Sequence, residues 1–144
     1  MRLTTFSDYS LRVLMYLALH PDRYTSIREI AAAFGISASH LMKVVQHLVA
    51  GGDVLTLRGP RGGLRLARPA EAIRVGAVIR TTEPDKALVP CEACVIEPGC
   101  ALKSVLDQAL AAFMAVLDQC SVADLVARRE ALAGLLKPDP RLPR

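Results

Sequence analysis

The residues of this chain best suited to chemistry are three cysteines within one short segment. Two residues separate Cys91 from Cys94, and five separate Cys94 from Cys100. Thiolates are soft ligands that bind zinc and iron–sulfur clusters, so thiols at this spacing can converge on one metal centre. An ordinary structural zinc site or cubane cluster has about four ligands. The sequence therefore predicts a metal site whose fourth ligand comes from elsewhere in the protein or from an exogenous group.

Other interpretations of the cysteines stay open. Cys91 and Cys94 could be unligated or form a redox pair, and zinc could stabilise a winged helix that binds a protein partner. A thiol oxidoreductase of the thioredoxin type needs a strand–helix context that the surrounding sequence lacks. No nucleophile–base pair, phosphate-binding loop or carboxylate pair indicates an enzyme. Cys120 is predicted to be a half-buried thiol near the end of a long helix.

The residues around the cysteines predict the elements that position them. Residues 84–100 are expected to form a cysteine-rich loop, and from Ala101 apolar residues recur at steps of three and four, which indicates a long amphipathic helix. The N-terminal dipole of this helix would stabilise thiolates. Its apolar stripe is long for so small a domain, which favours a two-fold homodimer over packing within one subunit. A last helix capped by Ser121 is predicted with these residues inward: Val122, Leu125, Val126, Leu132 and Leu135.

A second candidate site lies between Ser26 and Leu66. Ser26 and Glu29 have the spacing of a capping box, and Gly35 is suited to end the helix that they begin. Ser37 can cap a second helix whose outward residues are small or polar, which suits a DNA major groove. The alternative is an ordinary solvated helix face. The residues predicted to contact DNA from this helix are Ser37, Ser39, His40, Lys43 and Gln46.

A hairpin follows the second helix directly. The apolar segments 54–57 and 64–66 flank a turn rich in glycine and arginine, the pattern of a wing in a winged helix-turn-helix. Arginine suits a narrow minor groove, and glycine allows close approach of the backbone. Arg58, Arg61 and Arg65 are therefore predicted to contact DNA. In a two-fold dimer, paired recognition helices and wings predict a palindromic operator with half-sites about one helical turn apart.

The whole chain reads as a mainly α protein of 144 residues, in which 52% of residues are hydrophobic. Its net charge of +4 is compatible with double-stranded DNA as the partner. It shows no transmembrane segment and no signal-peptide layout, so a cytoplasmic location without membrane contact is expected. The predicted units are a winged helix-turn-helix domain over 1–83, the cysteine loop over 84–100, dimerisation helices over 101–136 and a loose tail over 137–144. A first helix is expected from a cap at Ser7 to about Leu19.

Several segments carry a resemblance to a known family along nearly the whole chain. They are Met1–Thr4, Phe6–Arg12, Arg58–Gly59, Gly62–Leu66, Cys94–Lys103 and Ala123–Val126. With them the chain resembles the NsrR-like winged-helix iron–sulfur repressors, a family that also includes IscR. The fold that this resemblance implies is a winged helix-turn-helix with a two-stranded wing and a long C-terminal dimerisation helix.

The resemblance also implies a cofactor and an effector. It implies that Cys91, Cys94 and Cys100 hold an iron–sulfur cluster, [4Fe–4S] rather than [2Fe–2S], and that Asp8 of the partner subunit supplies the fourth ligand. Nitric oxide is the implied effector, acting on a repressor. From the residues alone, Asp8 is an acidic side chain favoured at the start of a helix. Because the spacing between Cys91 and Cys94 is shorter than is usual in the family, a sensor of iron, cluster supply or redox state stays an alternative.

Overall fold

The chain folds into helices around one small sheet. A computed structural model describes residues 2–59, 62–84, 88–89, 91 and 94–136. The tail 137–144 and the wing residue Arg61 lie outside this described part. The predicted fold class, mainly α with a two-stranded wing, is confirmed. The elements are α1 (Thr5–Leu19), α2 (Ile27–Phe34), α3 (Ala38–Ala50), β1 (Val54–Leu57), β2 (Gly63–Leu66), α4 (Val75–Thr82), α5 (Ala101–Gln119), α6 (Val122–Leu125) and α7 (Arg129–Leu135), with single 3-10 turns at Ala70–Ala72 and Glu97–Gly99.

Helix α1 is the centre of the core. It contacts α3, α4, β2 and α6, so its apolar residues are buried on more than one side. The core includes Val13, Leu14, Tyr16, Leu17, Ile30, Leu41, Val44, Leu48, Val54, Ile73, Val78 and Val122. The helix-turn-helix, the wing and the C-terminal segment all pack on α1, so α1 supports the position of α3. No helix in the described residues is long and apolar enough to cross a membrane.

The prediction that Ser7 caps α1 is wrong. The helix begins at Thr5, and the extended backbone of Thr4 makes Thr4 the cap, with its Oγ1 accepting from the Ser7 amide at 3.2 Å. Ser7 is instead fully buried, and its hydroxyl lies 2.7 Å from the hydroxyl of Thr82 and donates to the carboxylate of Glu83. Glu83 also accepts from the Thr4 amide at 2.8 Å. The end of α4 thus holds the start of α1, and this tertiary contact fixes which residue is the cap.

Helices α2 and α3 form as the sequence predicts. The Ser26 hydroxyl accepts from the Glu29 amide at 3.1 Å, and α2 ends at Gly35 in the left-handed conformation, with φ 64°. In α3, the predicted inward residues Leu41, Val44, Val45 and Leu48 are buried. Ser37 occupies the cap position of α3, but its hydroxyl pairs with that of Ser39 at 2.7 Å instead of capping the helix. The outward direction of α3 is fixed by this buried face.

A polar junction joins α1 to α2. The buried Tyr16 hydroxyl donates to the carboxylate of Glu29 at 3.0 Å, and the Arg23 guanidinium donates to the same carboxylate. Burial, and then the bond to Glu29, raises the pKa of Tyr16 to about 12. Burial acts to raise the pKa of Glu29, but hydrogen bonds from Arg23 and Tyr16 outweigh it and hold that pKa below its ordinary value. This junction fixes α2 against α1, because a partly buried carboxylate is favourable only while its partners remain in place.

The wing is anchored at its base. Strands β1 and β2 pair antiparallel, with Val54 opposite Leu66 and Leu57 opposite Gly63. Thr25 adds a further bridge to β2, since its amide donates to the Leu64 carbonyl at 2.9 Å and its carbonyl accepts from the Leu64 amide at 2.8 Å. A Cβ atom at Gly63 would lie 2.8 Å from the Thr25 carbonyl oxygen, so only glycine allows this approach.

The C-terminal segment differs from the prediction of a single last helix. The capping box of Ser121 and Asp124 is present, but helix α6 spans a single turn and a break separates it from α7. Val122 and Val126 are buried as predicted, whereas Leu135 is 81% exposed, so its inward assignment is wrong. The break places Arg129 beside α1, where it donates to the carbonyls of Ala18 and Leu19 at 3.0 Å and satisfies the last carbonyl groups of that buried helix end.

Helix α5 presents an uncovered apolar row. None of its residues is buried in the chain. Its exposed apolar residues recur at alternating steps of three and four: Leu102, Val105, Ala109, Ala112 and Val116. Val105 is 59% and Val116 67% exposed. This is the spacing of a coiled-coil seam, whose apolar residues are normally buried against a second helix.

Candidate nucleic-acid interface and metal centre

The outward face of α3 carries the residues predicted to contact DNA. Ser37, Ser39, His40, Lys43 and Gln46 are all exposed. The opposite face of α3 is buried in the core through Leu41, Val44, Val45 and Leu48. This packing holds the predicted DNA-contacting side chains on the solvent side of the helix. They provide hydroxyl, imidazole, ammonium and amide groups, which can hydrogen-bond to base edges or phosphates.

Sequence reasoning missed one exposed residue on this face. Met42 is 51% exposed and lies between Ser39 and Gln46 at helical spacing. The steps of three and four from Ser39 to Met42 and from Met42 to Gln46 were readable in the sequence. Methionine is an apolar residue type, so the sequence gives no sign that Met42 is exposed.

The wing presents two of its three predicted arginines in the described residues. Arg58 follows β1, Arg65 lies on β2, and both are exposed. The Arg65 guanidinium lies 5.6 Å from the centre of the Tyr24 ring, a cation–π contact that the sequence did not indicate. By contrast, Arg68 donates to the Asp53 carboxylate at 2.9 Å and so stabilises the base of the hairpin. Arg58 and Arg65 therefore give the wing two exposed positive charges beside α3.

The three predicted cysteines lie along a series of tight backbone turns. The Cys94 amide donates to the Cys91 carbonyl at 3.1 Å, and the Glu97 amide donates to the Cys94 carbonyl at 3.0 Å. The Cys100 amide continues the series with a bond to the Glu97 carbonyl at 3.3 Å. The three cysteines thus follow one another along the backbone of one short segment, and Cys91, Cys94 and Cys100 are together called the cysteine row.

The row of cysteines leads into the N-terminus of α5. Cys100 is the cap residue of this helix, and its side chain makes no capping hydrogen bond. Lys103 donates to Asp107 at 3.1 Å, and this bond raises the pKa of Lys103, helped more weakly by the charges of Glu97 and Cys91. A helix N-terminus and a nearby ammonium both stabilise thiolates, which are the metal-binding form of cysteine.

The donor chemistry fits a soft metal centre, but the side chains are not gathered around one point. All three thiols are free; Cys91 and Cys100 are half-buried and Cys94 is exposed. Among the residues that the structure describes, no three side chains of histidine, cysteine, aspartate or glutamate are placed to hold one metal ion. Metal binding by Cys91, Cys94 and Cys100 would therefore require the exposed loop to close. Cys120 is half-buried at the end of α5, in the environment predicted for it.

Asp8 lies in the first turn of α1 and pairs within its own subunit. Arg12 Nε donates to Asp8 Oδ1 at 3.0 Å, and a second guanidinium nitrogen lies 2.9 Å from Oδ2. The guanidinium of Arg12 also lies 5.6 Å from the centre of the Phe34 ring in α2. Arg12 thus links the acidic side chain of α1 to the helix-turn-helix, a connection that the sequence analysis did not foresee. The structure does not bring Asp8 together with the cysteines of the same chain.

Comparison with known proteins agrees with this architecture. A family described as "Rrf2: Iron-dependent Transcriptional regulator" matches residues 3–128. The HTH-type transcriptional regulator NsrR of Bacillus subtilis is 46% identical over 143 residues, which cover 95% of this chain and 98% of that protein. The regulator of the same name from Halalkalibacterium halodurans is 42% identical over 146 residues, covering 97% of this chain and all of that protein.

A solved structure shows the same fold. CymR, the global cysteine regulator of B. subtilis, superposes with a TM-score of 0.77 at 28% identity, covering 89% of this chain and 98% of that one. The relatives matched here are transcriptional regulators and not enzymes, in agreement with the sequence prediction.

Proposed function

Because the chain belongs to the Rrf2 family of transcriptional regulators, we propose that it is an NsrR-like DNA-binding repressor controlled by an iron–sulfur cluster that reacts with nitric oxide. Nearly full-length similarity to regulators named NsrR supports the choice within the family. The single observation that supports the proposal most is the joint presence of an exposed polar helix face, a basic wing and a row of three thiols on one small fold.

DNA binding in this proposal uses α3 and the wing together. Lys43 and Gln46 enter the major groove on α3, while Arg58 and Arg65 approach the neighbouring minor groove or phosphates. The seam of α5 pairs with the same seam of a second copy, because its apolar row is uncovered in the single chain. A homodimer presents two such surfaces and therefore prefers a palindromic operator.

Cluster binding in this proposal uses Cys91, Cys94 and Cys100, with the partner subunit's Asp8 as the fourth ligand. A [4Fe–4S] cluster, when bound, supplies iron sites that react with nitric oxide. Carboxylate is a hard ligand for a soft centre, so Asp8 would be the most weakly held of the four ligands. Asp8 without a cluster pairs with Arg12, and Arg12 also contacts Phe34 of α2. Arg12 would thus connect the ligand state of Asp8 to the helix-turn-helix and so to operator affinity.

A thiol-based redox regulator is the second candidate function. The Cys94 amide donates to the Cys91 carbonyl at 3.1 Å, and among the described residues no three metal-binding side chains are placed to hold one metal ion. A structure of the oxidised form of CymR from Staphylococcus aureus, which shares this fold, favours this alternative. In this alternative, a hydroperoxide would oxidise the two thiols to a disulfide and would take up the two electrons and two protons, leaving an alcohol and water. A sensor of iron or cluster supply that uses the same cysteines is a variant of the main proposal.

Iron and sulfide analysis of the protein purified without oxygen tests the cluster. Cys94→Ser is expected to lose most of the bound iron, whereas Cys120→Ser, which alters the one cysteine outside the row, is expected to keep it. Asp8→Ala should retain the cluster and change its rate of reaction with nitric oxide. Equal iron in the Cys94 and Cys120 variants would argue against the cysteine row as the ligand set. Stoichiometric zinc in a colourless protein would favour a zinc-stabilised winged helix that binds a protein partner.

Binding of a labelled palindromic duplex over a series of salt concentrations tests the DNA surface. Lys43→Ala should weaken binding at every salt concentration and reduce the salt slope by about 1, the change expected on loss of one phosphate contact. Arg128→Ala removes an equally exposed cation at the start of α7 and serves as the matched control. The same loss in both variants would indicate only a general charge effect. Arg61→Ala is expected to weaken binding as well, and an unchanged affinity would remove this residue from the interface.

A further inference from the structure

The exposed row of α3 contains one apolar side chain among polar ones. Ser39, Met42, Lys43 and Gln46 follow one another at steps of three, one and three, and all four are exposed. The buried residues of α3 fix this direction, and Met42 lies one turn from Ser39 and one turn from Gln46 on the exposed side. Leu41 and Val45 adjoin Met42 on the buried side, so Met42 stands at the edge of the exposed face, with 51% of its surface exposed.

The major groove offers one apolar group to such a side chain, the methyl group of thymine. Methionine is unbranched and flexible, so it can follow the position of a methyl group across the groove. Its thioether is at most a weak hydrogen-bond acceptor, which leaves polar base edges to neighbours such as Gln46. On this chemistry, we propose that Met42 reads a thymine methyl group in each half-site. The inference rests on the proposed binding of α3 in the major groove.

The size of the effect follows from the area that the contact removes from water. One buried methyl or methylene group contributes about as much as a fourfold change in affinity. Loss of the thymine methyl in one half-site should therefore weaken binding about fourfold. Truncation of Met42 removes the same contact from the protein side, so the two losses should not add.

The experiment uses the full-length protein and DNA sites that it selects from random duplexes. Each thymine of the selected site is replaced in turn by deoxyuridine, which removes only the methyl group and keeps the base pair. Binding of each duplex is measured by fluorescence anisotropy for the wild type, Met42→Ala and Met42→Leu. Deoxyuridine outside the half-sites controls for altered duplex stability.

One thymine position in each half-site should lose about fourfold in affinity for the wild type and nothing further for Met42→Ala. Met42→Leu should restore the sensitivity, since leucine keeps an apolar side chain of similar size. Equal sensitivity of wild type and Met42→Ala to deoxyuridine at every position would overturn the role of Met42 while leaving DNA binding intact. Failure to select any duplex would overturn the DNA-binding proposal itself and this inference with it.

Discussion

Replacement of Gly35 by alanine isolates the conformational energy of the turn between α2 and α3. Gly35 adopts φ 64° and ψ 34°, in the left-handed region. A Cβ atom added there would meet nothing within 4 Å, so the substitution introduces strain without a clash. An L-residue in this conformation costs about 1–2 kcal/mol. Gly35→Ala should therefore lower the free energy of unfolding by about that amount.

Two substitutions control for other effects at this turn. Gly35→Asn should cost less than Gly35→Ala, because the asparagine side chain can hydrogen-bond locally in the left-handed region. Gly134 lies in helix α7, and a Cβ atom there also meets nothing within 4 Å. Gly134→Ala should leave stability unchanged or raise it by up to about 1 kcal/mol, since alanine is the better helix former.

Urea denaturation of the metal-free protein at one protein concentration measures these differences. The unfolding midpoints convert to free energies with one common slope of free energy against urea concentration, provided that all variants expose the same amount of surface on unfolding. An unfolding midpoint for Gly35→Ala equal to that of the wild type would contradict the assignment of the turn. A loss for Gly35→Asn as large as that for alanine would show that the cause lies outside the backbone conformation.

Three further predictions concern other contacts. Tyr16→Phe should lower stability by about 1.5 kcal/mol, measured by urea denaturation, because Glu29 loses one buried donor; no loss would show the bond to be dispensable. Val116→Asp should shift the protein toward monomer in sedimentation experiments, whereas Ala115→Asp, outside the seam of α5, should not. A wild-type protein that is itself monomeric would refute pairing of two chains through this seam. Hydrogen bonds lower the pKa of Glu83 despite its burial, so its stabilising effect is present above about pH 4.5 and is lost as the pH falls through the lowered pKa. Glu83→Gln should flatten acid unfolding below that pH, and an unchanged pH profile would contradict this.

Local sequence signals predicted most of the helix-turn-helix. The Ser26 cap, the left-handed Gly35 and the buried face of α3 each depend on residues a few positions apart, so their spacing carries the information. The wing followed from two apolar segments around a glycine-rich turn. The contact of Arg65 with Tyr24 escaped prediction because it joins segments that only the folded chain brings together.

The two wrong predictions, the Ser7 cap and the single last helix, also concern contacts between residues that are distant in sequence. Thr4 and Ser7 are both suitable caps by residue type, and Glu83, distant in sequence, decides between them. The last helix breaks where Arg129 reaches the end of α1, a contact that no local periodicity encodes. Convergence of the three cysteines on one metal centre stays a prediction from their spacing, whereas the link of Asp8 to α2 depends on the tertiary position of Arg12.

The measurement that tests the central claim most directly combines absorbance and DNA binding in one anaerobic sample. The protein, bound to a labelled palindromic duplex, is titrated with nitric oxide while visible absorbance and fluorescence anisotropy are recorded. We predict a coloured protein whose visible absorbance and DNA-bound fraction fall together. A cluster that reacts with nitric oxide while DNA stays bound, or a colourless iron-free protein prepared without oxygen, would contradict control of the repressor by a cluster.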